Sequence, residues 1–251
     1  MRIIAISILL CSAFTIKAQR FTTPFEAKRG FFTSVGYGYR IPGGDMKDRF
    51  GGNSTIGFDA DFKYENNWTL GIGYHWMFGR NVNDRDMFDN LIGREGQIID
   101  QDGMFSVIRF NQRGHMLDAH GGKIFPIGKN RNSGIVVTAG IGMIWHRIDI
   151  QASTAKVPQI TGDYEKGYDR LTGGFALNQF VGYQFLDPKK QVNFRIGFCA
   201  TQAFTKSMRS YDFDIMGYRE GNRTDMLSGF KAGLIIPIYT KDPDEEQYFT
   251  D

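Results

Sequence analysis

The sequence predicts an all-β fold: a closed antiparallel β-barrel that spans a membrane with eight strands, or with ten, and carries long loops at one end. Three observations predict it. Segments of about ten residues alternate bulky apolar side chains with small or polar ones, a period of two that belongs to transmembrane strands. Thirty-one glycines against seven prolines, with 14% aromatic residues, suit glycine-studded strands better than a disordered or collagenous chain. The only long apolar run, Ile3 to Phe14, lies at the N-terminus, so a bundle of membrane-crossing helices is excluded.

Residues 1–18 read as a secretory signal peptide, with Arg2 as the charged start, Ile3 to Phe14 as the apolar core and Ile16-Lys17-Ala18 as the cleavage site before Gln19. Cys11 is not read as a lipidation site, because Leu10 stands where a small residue would be needed. Cleavage removes Arg2 and Lys17 and lowers the formal charge of +3 by two, which leaves no argument for nucleic-acid binding. Cys199 is then the only thiol, so no intrachain disulfide is expected in spite of export. Residues 19–29 are expected as a periplasmic N-terminal segment, 30–240 as the barrel and 241–251 as an acidic periplasmic tail.

Strands are expected near 30–40, 54–64, 68–78, 115–125, 134–146, 172–186, 191–204 and 226–239. In the second, Ile56, Phe58, Ala60, Phe62 and Tyr64 share a face opposite Gly57, Asp59, Asp61 and Lys63. In the third, Trp68, Leu70, Ile72, Tyr74, Trp76 and Phe78 alternate with Thr69, Gly71, Gly73, His75 and Met77. Later strands follow suit: Ile141, Met143 and Trp145 oppose Gly140, Gly142 and His146, and Phe230, Leu234 and Ile236 oppose Gly229, Lys231 and Gly233. Residues 95–113 could supply the two further strands of a ten-stranded barrel.

Alternation alone also suits a soluble lipocalin-like barrel, so side-chain bulk must decide which face is inside. An eight-stranded interior is only wide enough for side chains to fill it, and the aromatic face is too bulky for that space. Reversing the second strand in a membrane would place Lys63 in lipid at about 2 to 4 kcal/mol near the midplane, with Asp59 and Asp61 added. Inside, Asp59, Asp61, Asp118, His120, Lys63, Arg195 and Lys231 are expected to neutralise one another as a charge network that plugs a polar lumen.

Turn lengths set the expected orientation. Glu65-Asn66-Asn67, Gly128 to Ser133 and Asp187 to Lys190 are short and should be periplasmic, as should both termini. The connections 41–53, 79–114, 147–171 and 205–225 are long and polar and should be extracellular. Tyr64, Trp68, Tyr183 and Phe185 would form the periplasmic aromatic girdle, and Tyr39, Trp76, Phe78 and Trp145 the outer one.

On these features the chain resembles the small OmpA/OmpX-type outer-membrane barrels, and the signal ending in Ala18-Gln19 resembles those of exported Bacteroidota proteins. The runs Gly162 to Thr172, Gly174-Phe175-Ala176-Leu177 and Gly121-Gly122-Lys123-Ile124 are similar to a Bacteroidota family of outer-membrane barrels with no assigned activity. The resemblance covers residues 30 to 240 and implies fold and an integral outer-membrane location. It implies no catalytic residue. It stops at the C-terminus, where about a dozen residues after Tyr239 are too few for a peptidoglycan-binding domain.

Chemistry is sparse. His115, Asp118 and His120 lie together, but an interval of five puts the two histidines on opposite faces of a strand, so no hydrolase triad is expected. Asn81, Asn83, Asp84, Asp86, Asp89, Asp100 and Asp102 could hold a hard cation such as Ca²⁺, yet EF-hand spacing is missing. No other cofactor is expected. Tyr164, Lys166, Tyr168 and Arg170 in the third long loop, and Tyr211, Phe213, Tyr218 and Arg219 in the fourth, have the composition of protein-binding surfaces. The expected function is non-enzymatic, in envelope structure or protein interaction, with outer-membrane lipids and other outer-membrane proteins as partners. The alternatives are an accessory subunit of an assembly or secretion complex, a lipid A-modifying enzyme, and a narrow pore.

Overall fold

Extended segments with one bulky apolar face and one small, polar face can turn the apolar face outward and the polar face inward only by closing the sheet on itself, which also removes its two unpaired edges. The structure, a computed structural model, describes residues 26–84, 97–153, 157–187 and 192–239. The expected signal peptide and acidic tail lie outside the described residues. Nine strands are present among them: β1 (Gly30–Gly44), β2 (Asn53–Lys63), β3 (Trp68–Gly79), β4 (Gln97–Ile99), β5 (Phe105–Pro126), β6 (Gly134–Ala152), β7 (Thr172–Leu186), β8 (Asn193–Ser207) and β9 (Arg223–Tyr239). Neighbouring strands are antiparallel in the order β3-β2-β1-β9-β8-β7-β6-β5, and β3 pairs with β5 to close an eight-stranded barrel.

The ten-stranded alternative is therefore corrected. Residues 95–113 add no wall strand. Instead β4 pairs only with the far end of β5, Ile99 facing Phe105, and residues 105–113 prolong β5 itself. β5 starts at Phe105 rather than near 115, and β6 runs to Ala152 rather than ending near 146, so the two stay in register out to Ile108 facing Ala152. The loops expected at 79–114 and 147–171 are correspondingly shorter, and a three-stranded projection stands above the barrel at the long-loop end. No helix among the described residues is long and apolar enough to cross a membrane, which says nothing of strands.

Phe31, Phe58, Leu70, Ile72, Leu117, Ile141, Leu234 and Ile236 are all exposed on the outside. Asp59, Asp61, His75, Asp118 and His120 are all buried. The interior falls into three zones. At the short-turn end Phe32, Leu186 and Ile235 pack with Tyr239. The middle is polar. Toward the long loops Met77, Met116, Ile144, Ala176, Ala203 and Leu227 form an apolar zone that the first loop completes with Met46, in the single-turn helix α1 (Met46–Arg49), and Phe50 just after it. The interior, expected to be polar, is thus apolar toward both ends: strand side chains supply the short-turn cluster, and the first loop adds Met46 and Phe50 to strand side chains at the other.

Candidate functional site

Period two places the inward residues of β2, β3, β5, β8 and β9 around one axis, and their charges meet there. Lys231 Nζ donates to Asp59 Oδ2 at 2.5 Å, and Ser34 Oγ donates to the same oxygen at 3.0 Å. His75 Nε2 lies 3.4 Å from both Asp59 Oδ1 and Asp118 Oδ1. His120 bonds Asp118 through Nδ1 and Asp61 through Nε2, both at 2.8 Å. Arg195 then joins Asp61 at 3.1 Å and the Gln184 side-chain oxygen at 2.8 Å. The result is one unbroken chain: Lys231, Asp59, His75, Asp118, His120, Asp61, Arg195.

An imidazole that bonds carboxylates through both nitrogens donates at both only as the imidazolium. Three cations, Lys231, His120 and Arg195, then face three carboxylates, and His75 bridges the halves. Charges buried this deeply persist only when each is paired. A cavity of about 60 Å³ beside the chain is lined by Arg40, Thr138, Asn178, Thr201 and the network residues other than Asp61, room for water rather than for a substrate.

Six of the seven residues expected in the lumen network are joined in this way, and Lys63 is not. Its Nζ donates to the carbonyls of Lys28 at 2.9 Å and Tyr64 at 3.4 Å, away from Asp59 and Asp61, because Lys63 ends β2 at the barrel mouth. There Asn132 receives Lys28 N at 3.0 Å and donates to Glu26 O at 2.6 Å, tying residues 26–28 across the opening. His75 was not singled out as a network member; its position among Gly71, Gly73 and Met77 on the inward face of β3 was the available signal. His115 lies on the outside wall and bonds Tyr74 Oη at 2.7 Å, so it cannot act with His120.

At the long-loop end a second set of charges fastens the loops. Arg170 pairs with Asp84 of the second loop and, at 2.7 Å, with Asp214 of the fourth. Arg219 bonds Asp212 and Asp214, both at 2.7 Å, and Arg209 is paired with Asp169. Burial pushes the Arg170 guanidinium below its ordinary pKa in spite of Asp214. Burial acts against Arg219 too, but Asp212 and Asp214 hold it above its ordinary value. Both arginines, expected at a partner surface, are thus engaged within the cap. Phe213 lies among Tyr164, Tyr168 and Tyr211, with ring centroids 5.3 to 6.2 Å away. Tyr164, Tyr211 and Tyr218 remain exposed, and Lys166 pairs with Asp163 at 2.6 Å.

Of the acids considered for a cation, Asp86 and Asp89 lie outside the described residues. Asp84 is taken by Arg170, and Asp100 Oδ1 accepts from the backbone of Asp102 and Met104. Among the described residues no group of three ligating side chains is arranged for a metal.

No protein-family model matches the chain, and no curated protein matches it. Solved structures do. Neisserial surface protein A is 10% identical with a TM-score of 0.45, over 83% of this chain and 97% of that one. Ail, the attachment invasion locus protein of Yersinia pestis, is 10% identical with a TM-score of 0.43, over 82% and 98%. The outer membrane protein OprG of Pseudomonas aeruginosa is 10% identical with a TM-score of 0.40, over 86% and 99%.

Proposed function

We propose that this chain is an integral outer-membrane barrel without enzymatic activity, sealed along its axis, that presents a preorganised cap of loops to the outside. The observation that carries the reading is the inversion of polarity across the wall: aromatic and branched side chains outside, a neutralised charge network inside. Soluble monomers rarely tolerate contiguous apolar patches of more than a few hundred Å², and this band runs around the barrel. The short turns and both strand termini, Gly30 beside Tyr239, share one end, assigned here to the periplasm. The test is heat-dependent gel migration of the chain refolded in lipid vesicles, followed by planar-bilayer recording. A folded species without conductance supports the reading; steady channels or failure to fold in lipid overturns it. Altered lipid A on deletion, restored by wild type and not by His120→Ala, would make it an enzyme.

A second reading, an accessory subunit of a larger outer-membrane complex, is favoured by one feature of the cap. Met216 is 74% exposed at a positive φ of 51°, beside exposed Tyr211, Ile215 and Tyr218. A non-glycine backbone held in that region costs free energy, and such positions cluster at functional sites. Mild-detergent purification from outer membranes should then retain a stoichiometric partner that Tyr211→Ala/Met216→Ser releases. A lone barrel overturns this reading only.

A further inference from the structure

The lumen carries one more cation than its carboxylates neutralise. Arg40 projects inward from β1 and is 3% exposed. A guanidinium offers five N–H donors and cannot shed its charge, yet the one hydrogen bond of this side chain runs from Nη1 to Thr201 Oγ1 at 3.1 Å, and its Nε has no partner. Among the described residues Arg40 makes no ion pair with a carboxylate. The three carboxylates of the network are already taken: Asp59 by Lys231, Asp118 by His120, and Asp61 by His120 and Arg195. Arg40 is the surplus.

Bulk water does not reach this charge from the long-loop side. Arg40 faces Gly229 across the β1–β9 pair, and the next inward residue of β9 in that direction, Leu227, belongs to the apolar zone that Met46 and Phe50 complete. A trapped water could accept from the guanidinium but would not offset its charge, and a buried charge without a counter-charge costs far more than an unmade hydrogen bond.

The cavity of about 60 Å³ supplies the place for a counter-charge. Arg40, Lys231 and Arg195 all line it, and so does Asn178, whose amide nitrogen has no partner while its Oδ1 accepts from the Thr201 hydroxyl at 2.8 Å. Asp59 and Asp118 line it too, each held by the cation named above. About 10 to 15 Å³ of such space holds one water, so this cavity takes a small ion with a few waters and excludes an organic anion.

We propose that the lumen binds one small inorganic anion of chloride size beside Arg40, as the missing counterion of the charge network. This goes beyond the function proposed above and depends only on the closed barrel.

The test is urea unfolding of the full chain in a neutral detergent, with sodium chloride, bromide or gluconate at equal ionic strength and heat-dependent gel migration as the measure of folding. Gluconate is too large for the cavity. Wild type should unfold at a higher urea midpoint in chloride or bromide than in gluconate. Above saturation its unfolding constant should fall about tenfold for each tenfold rise in chloride, the slope of one bound ion. Arg40→Met, which keeps an unbranched side chain without charge, should lose that slope. Lys129→Gln/Arg131→Gln, which removes two charges from an exposed turn, should keep it. Should Arg40→Met not fold, wild-type crystals grown in bromide decide by anomalous scattering, which should place one bromide in the cavity within hydrogen-bond reach of Arg40. The proposal is overturned by equal wild-type midpoints in chloride and gluconate, by a slope that survives in folded Arg40→Met or vanishes in the turn control, or by a cavity that holds only water in bromide.

Discussion

At the residue scale the lumen is organised around His75 and the glycines that make room for it. A Cβ on Gly73 would stand 2.9 Å from Asp59 Oδ1, 3.0 Å from His75 Nε2 and 3.1 Å from Asp118 Oδ1, at the junction of the two halves of the network. Gly73→Ala should therefore part these groups and cost about 1 to 3 kcal/mol, read as a lower urea midpoint for unfolding from lipid. Asp61 accepts from both His120 and Arg195, and its side chain is 1% exposed, so solvent cannot replace it. Asp61→Ala should cost about 3 to 5 kcal/mol by leaving two buried cations with one fewer carboxylate. Replacing Arg195 by Met in the same chain should recover part of that loss. If Asp61→Ala unfolds at the wild-type midpoint, the network contributes nothing to stability.

At the element scale the strands were legible and their extensions were not, and the difference has a physical cause. β2 and β3 alternate cleanly because one side faces the exterior band and the other faces ions. Past His115, β5 leaves that band: its outward residues become Arg113, Asn111 and Arg109, while its inward ones, Phe110 and Ile108, pack beneath loop residues. The period survives and the polarity that reports it reverses, so the segment reads as loop. The cap is illegible for another reason, since Arg170 meets Asp84 and Asp214 across long separations that no local pattern records. Helix α1 is too short to hold itself and depends on docking Met46 and Phe50, both fully buried, into the barrel mouth. Met46→Ala/Phe50→Ala, at about 2 to 5 kcal/mol for each buried side chain removed, should undock the first loop. Limited proteolysis of refolded protein should then cleave within residues 45–52, and the heat-dependent gel shift should persist. Simultaneous loss of that shift would mean that the loop holds the barrel closed.

At the scale of the whole molecule, three successive zones of side chains lie along the axis, obstacles on the sealed-barrel reading proposed above: the apolar zone that α1 completes, the network from Lys231 to Arg195, and the Phe32, Leu186 and Ile235 cluster at the short-turn end. Each spans an interior that eight strands leave only wide enough for side chains. Removing one should not open a path. Wild type and Met46→Ala/Phe50→Ala should both be silent in a planar bilayer, because the ion pairs below still fill the lumen. Adding Lys231→Ala and Arg195→Ala removes two of the three long cations lining the central cavity, leaving Arg40 beside carboxylates that draw in water and cations. The quadruple variant should be the first to pass current, small and cation-selective, and only in the fraction that retains the folded gel mobility. Conductance in wild type would mean that the apolar zones part in the membrane, and conductance in Met46→Ala/Phe50→Ala alone would mean that the network is no barrier to ions.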